Sequence, residues 1–239
     1  MSNFKLNSDF VLILDDKPVD RVQIFHSKKA AAYLIVAPAL STPLLVNFRS
    51  NDVKSVHLTK ITYHGSSGSV DLLADAIIKQ VSQFSLNNQA ITFKIGDETA
   101  KLKQAPPVLG EVSGADIKKA KPDFTFKART YEIDKAILAT LKGESREVRV
   151  RTYFGTWCPP CVRLVPRLLK LEDALSGSRI HFEYYGLPKP ISADLESKKV
   201  GIKEVPVAVV YIGKREVGRI QGSRLQNPEA IIRSVLEGA

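Results

Sequence analysis

With 239 residues, 44% of them hydrophobic and 25% charged, the chain has the composition of a globular protein and is longer than one small domain needs. Thirty-five Lys and Arg against 25 Asp and Glu leave a formal net charge of +10, but no basic–aromatic nucleic-acid motif accompanies it, so neither RNA nor DNA is an expected partner. The apolar stretch Ala30–Leu40 is too short to span a bilayer and contains Pro38, which excludes it as a membrane helix.

Residues 1–105 read mostly as strands. Phe10–Leu14, Arg21–His26, Ala31–Ala37, Leu44–Arg49, Val53–His64 and Ile91–Ile95 are short β-type runs. Turn residues separate them at Asp15-Asp16-Lys17-Pro18, Ser50-Asn51-Asp52 and Gly65-Ser66-Ser67-Gly68. Val70–Phe84 fits either a helix, through Leu72, Leu73, Ala76, Ile77 and Val81, or alternating strands. This predicts a β-sandwich or barrel-like domain over 1–105, suited to partner docking, homodimerisation or substrate presentation. Ser66, Ser67 and Ser69 near His64 lack the nucleophile-elbow pattern of a hydrolase.

The stretch 106–122 carries Pro106-Pro107, Gly110, Gly114 and lysines 118, 119 and 121, and reads as an exposed linker with room for an opening strand of a second domain at 123–239. A helix is predicted over Thr130–Leu141, with Ile133, Ala136, Ile137 and Leu141 on one face and Gly143 ending it. Glu147–Phe154 alternates as a strand, and Gly155-Thr156 makes a short turn. From Cys158 onward, Val162, Leu164, Val165, Leu168, Leu169, Leu171 and Leu175 recur at helical spacing. Pro159 and Pro160 fit the first turn, where a missing N–H costs nothing; Pro166 interrupts the helix, and Gly177 is a natural stop.

Between that strand and that helix lies Trp157-Cys158-Pro159-Pro160-Cys161, with the chain's only two cysteines. A thiol at a helix N-terminus faces unpaired N–H groups and the positive end of the helix dipole, and both favour the thiolate that attacks disulfides. The alternatives are a plain disulfide staple or half a zinc site. Closing so short a loop constrains the unfolded chain little. A structural zinc site needs four ligands, and His26, His57, His64 and His181 show no paired spacing. The redox reading is therefore the expected one, with neither metal nor cofactor beyond the dithiol itself.

These residues resemble the thioredoxin superfamily. The Trp-Cys-x-Pro-Cys core is present with Pro160 in the usual position, and Pro166 follows the second cysteine by the family's interval. Val205-Pro206 matches the family's cis-proline site and opens the run Val207–Ile212; a glycine-turn hairpin follows, then Asn227-Pro228-Glu229 as the start of a last helix. The resemblance covers about 120–239. It implies an α/β thioredoxin-like fold, a central mixed sheet flanked by helices, preceded here by the mostly-β domain. It also implies that Cys158 attacks and is exposed, that Cys161 resolves, and that Trp157, Pro160, Val205 and Pro206 support substrate beside them. Val205 is then a main-chain partner for an extended substrate strand.

The family's buried Asp on the strand before the motif is replaced by Thr152. In the TlpA/ResA-like branch a Glu soon after the second cysteine is frequent, whereas here Val162, Arg163 and Leu164 follow. Glu183, in the predicted strand Ile180–Tyr185, is a candidate acid–base group, its alternative being a solvent-facing position. Pro159-Pro160 supplies no His between the cysteines, which in this superfamily points to the reducing direction. The expected activity is thiol–disulfide exchange on protein disulfides, with an electron-donor or reductase partner. The competing readings are a disulfide oxidase or isomerase, and a non-catalytic scaffold that keeps the fold. The absence of spare cysteines suits an oxidising compartment, and TlpA-like proteins with extra domains are usually exported and often bacterial. A periplasmic or other extracytoplasmic location is expected, with cytoplasmic as the alternative. Met1-Ser2-Asn3 is compatible with a start that replaces a removed leader.

Overall fold

The computed structural model describes residues 2–87 and 90–239; Met1, on which the leader expectation turns, lies outside them. The chain divides into two compact units, Met1–Pro106 and Pro107–Ala239.

The first unit is built of β1 (Ser2–Leu6), β2 (Phe10–Leu14), β3 (Lys17–Pro18), β4 (Gln23–Ser27), β5 (Ala32–Val36), β6 (Leu44–Asn47), β7 (Asp52–Val56), β8 (Ile61–His64), β9 (Ser69–Leu72), β10 (Ile77–Asn87), β11 (Ala90–Ile95) and β12 (Glu98–Gln104). They hydrogen-bond as one sheet in the order β3-β2-β12-β11-β10-β7-β6-β5-β4-β1-β9-β8. The turns that join them follow from the sequence: Asp15 and Asp16 both sit at positive φ (44° and 63°) between β2 and β3, as a type I′ hairpin requires.

β4 to β7 are buried on both faces. Ile24, Ile35, Leu44, Val46 and Val53 pack with Leu12, Phe84, Phe93 and Leu102, while Phe25, Leu34, Leu45 and Val56 pack with Phe4, Ile61 and Val70. The sheet therefore folds over itself, and its middle strands serve two cores at the pleat's period of two. Val70–Phe84 is not helical. It forms β9 and β10, separated by a turn in which the Ala76 N–H donates to the Leu73 carbonyl. Val53–His64 is two strands, β7 and β8, with a short 3₁₀ turn at Leu58–Lys60 between them.

The second unit comprises β13 (Gly110–Val112), α1 (Gly114–Ala120), α2 (Pro122–Arg129), α3 (Lys135–Lys142), β14 (Val148–Phe154), α4 (Pro159–Ala174), β15 (Ile180–Gly186), α5 (Leu195–Val200), β16 (Val207–Ile212), β17 (Arg215–Gln221) and α6 (Pro228–Glu237). Its sheet runs β13-β15-β14-β16-β17, with β14 and β15 parallel and the other pairs antiparallel. Two corrections arise here. The stretch 106–122 holds an opening strand, β13 paired with β15, but the rest is not an open linker: Ser113 closes a capping box with Asp116 at the start of α1. The helix expected from Thr130 starts at Lys135, because Asp134 caps it by accepting from the Ala136 and Ile137 amides.

One face of this sheet, through Val148, Val150, Phe154, Tyr184, Ala208 and Val210, packs against Leu164, Val165, Leu168, Leu169 and Leu171 of α4. The other buries Tyr153, Leu187, Ile202, Val207 and Val209. Asn227 stands at the N-cap position of α6 without making a side-chain cap. Glu229, buried in the first turn, instead accepts from the Tyr131 hydroxyl (2.6 Å) and the Asp134 amide (3.3 Å). Among the described residues no helix is long and apolar enough to cross a membrane.

Candidate active site

β14 ends at Phe154, and four residues later the chain enters α4 with Cys158 at the N-cap. Pro159 and Pro160 open the helix; both are exposed. Ring-fixed φ and absent N–H groups suit this first turn. The Cys161 N–H donates to the Cys158 sulfur (3.4 Å), so the thiol fills the place that an oxygen takes in an ordinary N-cap.

The two thiols are free and sit in different surroundings. Cys158 is 5% exposed. Its sulfur lies beneath the loop before β16, where the Sγ–H donates to the Val205 carbonyl (3.3 Å). This corrects the expectation of an exposed nucleophile: the Val205-Pro206 turn covers it. Cys161 is fully buried and accepts from the Gly155 N–H (3.5 Å). Burial, reinforced by the hydrogen bond with Cys158, pushes the Cys161 thiol well above the usual thiol range. At neutral pH Cys161 therefore holds its proton.

Val205-Pro206 is a cis peptide, and Pro206 is buried with its carbonyl accepting from Gly222 N–H (3.4 Å). Trp157 is half-buried: its indole N–H donates to the Leu187 carbonyl (2.8 Å), and its ring lies against Gly155. The structure thus brings Cys158, Cys161, Trp157, Val205 and Pro206 together, with Pro160 in the intervening helical turn.

Glu183 is not among them. On β14 and β15, Val150, Thr152, Phe182 and Tyr184 take the α4 side, and by the pleat Arg151 and Glu183 take the opposite one. There the Arg151 guanidinium binds Glu183 (3.1 Å), Glu111 (2.8 Å) and Glu196 (3.6 Å), and Arg149 lies 3.8 Å from Glu183. Glu183 belongs to an ion-pair network on the sheet's far face and is no acid–base group for the dithiol. Thr152 does lie on the α4 side. It is fully buried, and its hydroxyl makes no hydrogen bond with the described residues. Those residues contain no group of three His, Cys, Asp or Glu side chains placed to hold a metal ion.

Residue-by-residue reading missed the Leu187–Pro190 loop. The parallel pairing Phe154↔Gly186 brings the end of β15 to the same sheet edge as the dithiol. Gly186 lets the Val108 backbone pass where a Cβ would come within 2.2 Å of its carbonyl, and the Val108 N–H donates to Thr156 Oγ1 (3.3 Å). Lys189-Pro190 is a second cis peptide, with the Lys189 ammonium 5.7 Å from the Trp157 ring. The proline pair 188 and 190 directly after a buried strand was the available signal.

No family model matches the chain. It is 29% identical over 83 residues, 35% of its length, to Thioredoxin-2 of Saccharomyces cerevisiae, of which the match covers 72%. Among solved structures it is similar to thioredoxin f2 of Chlamydomonas reinhardtii, at 19% identity over 45% of this chain and 95% of that one, with a TM-score of 0.33. It is also similar to the oxidized form of mitochondrial thioredoxin 3 from Saccharomyces cerevisiae, at 24% identity over 43% and 87% of the two chains, with a TM-score of 0.30. The sequence similarity to a thioredoxin thus spans about a third of the chain.

Proposed function

We propose that the thioredoxin-like fold is the unit Pro107–Ala239 and that the protein is a thiol–disulfide oxidoreductase of TlpA/ResA-like type, reducing disulfides in proteins. The observation that carries this is the asymmetric dithiol. Cys158 Sγ meets the Cys161 amide (3.4 Å) and the Val205 carbonyl (3.3 Å), while Cys161 is sealed behind it and keeps its proton. That asymmetry sets the order of events.

Cys158, as thiolate, attacks one sulfur of the substrate disulfide. A Cys158–substrate S–S bond forms, the substrate S–S bond breaks, and the second substrate sulfur leaves as thiolate. Cys161 then loses its proton and attacks Cys158 Sγ. A Cys158–Cys161 bond forms, and the first substrate sulfur leaves. Two electrons pass to the substrate, and the two thiol protons end on its sulfurs. An external reductant, the expected electron-donor partner, must regenerate the dithiol. The lack of a His between the cysteines supports the reducing direction, and the absence of other cysteines suits an extracytoplasmic site of action.

The test is a pair of variants. Cys158→Ser is expected to abolish exchange, and Cys161→Ser to accumulate mixed disulfides visible by mass spectrometry. Equal trapping by both variants would overturn the role assignment. An equilibrium potential near the thioredoxin value, about −270 mV, supports the reductant reading, whereas one near about −120 mV would make the protein an oxidant.

A further inference from the structure

Four cations border the mouth of the dithiol. Arg163 is exposed on α4, two residues past Cys161. Lys189 is exposed in the loop after β15, its ammonium 5.7 Å from the Trp157 ring. Lys203 is exposed two residues before Val205, whose carbonyl receives the Cys158 thiol. Arg224 is exposed two residues after Gly222, whose N–H is bound to the Pro206 carbonyl. They come from four separate segments that meet only because the sheet brings them to one edge.

None of the four forms an ion pair among the described residues, and the exposed carboxylate of Glu204 is the one acid on the same rim segments. Other basic side chains of this unit are held in ion pairs: Lys118 by Asp173, Arg146 by Glu144, Arg151 by three glutamates, Arg179 by Glu147 and Arg219 by Glu216. The four rim cations thus leave net positive charge where a substrate disulfide must arrive. A cluster of one sign at a cleft raises the local concentration of oppositely charged partners and steers their approach.

We infer that the substrates are proteins whose disulfide is flanked by acidic residues, captured by Arg163, Lys189, Lys203 and Arg224 before Cys158 attacks. This rests on the disulfide-exchange reading and adds to it a substrate class. The rim acts on encounter: Lys203 and Arg224 touch neither thiol, so their charge enters through association and is screened by salt.

The experiment compares two cyclic disulfide peptides, identical except that one carries Glu and the other Lys on both sides of the cysteines. Bis(2-hydroxyethyl) disulfide serves as the neutral control. With the full-length protein in about 20 mM salt, kcat/KM is expected to favour the acidic peptide by about tenfold or more, the preference shrinking severalfold at about 300 mM. Lys203→Glu/Arg224→Glu is expected to cut that preference severalfold and to leave reduction of the neutral disulfide unchanged. Equal kcat/KM for the two peptides at low salt would overturn the inference, as would a double variant that keeps the acidic preference. Failure to reduce the neutral disulfide at all would instead defeat the exchange reading itself.

Discussion

Gly155 shows how one absent side chain shapes the site. A Cβ there would come 2.5 Å from the Trp157 ring, so glycine lets the indole lie flat on the turn and reach the Leu187 carbonyl. Gly155→Ala is expected to displace the indole and to cost about 1–3 kcal/mol, as overpacking does. Trp157 is the chain's only tryptophan, so its fluorescence reports the displacement directly. An unchanged spectrum with unchanged stability would show that the ring is free to move. At this scale the cysteine pair was legible from its spacing, and Trp157 and Pro206 only through the resemblance to the thioredoxin superfamily. The far-face position of Glu183 was not, since it depends on the phase of β15 relative to β14. An alternating strand has two phases, and only the packing of Phe182 and Tyr184 under α4 chooses between them.

Between elements, Glu172 joins α4, β15 and α1. The Tyr184 hydroxyl donates to it (3.0 Å), and Gly114 leaves room for its carboxylate, where a Cβ would lie 2.2 Å from the oxygen. Burial pushes the Glu172 carboxyl above the usual carboxylate range and Asp173 adds to it, while the Tyr184 hydrogen bond and Lys118 oppose the rise. A raised carboxyl stabilises the fold fully below its unfolded value, and that contribution is lost as pH rises through the folded value. Glu172→Gln, which keeps an acceptor for Tyr184 and carries no charge, is expected to raise the thermal midpoint at pH 7 but not near pH 4. An equal gain at both pH values would remove charge burial as the cause. Helix boundaries were legible where a cap or Pro marks them, as at Pro159 and Gly143. They were missed where tertiary contacts decide: Glu229 holds Tyr131 and the Asp134 amide, so the chain before α3 runs as a loop.

At the scale of the whole molecule, every group of the dithiol site and its rim lies between Val108 and Arg224, within the unit Pro107–Ala239. Pro107–Ala239 expressed alone is expected to reduce bis(2-hydroxyethyl) disulfide at the full chain's rate, because a compact unit with its own core is able to fold by itself. A much slower rate would mean that Met1–Pro106 contributes to the site. Local pattern identified the many strands of that first unit, but not its twelve-stranded order, because pairing joins residues far apart in sequence, such as Leu102 with Leu12. The sequence by itself determined the cysteine pair and its place between a strand and a helix, since these depend on spacings of a few residues and on side-chain chemistry. Only the tertiary structure decided that Val205 covers Cys158, that Glu183 faces away and that Lys189 stands over the Trp157 ring. Each of these is a distance between segments, and distances between segments are set by how the sheet packs.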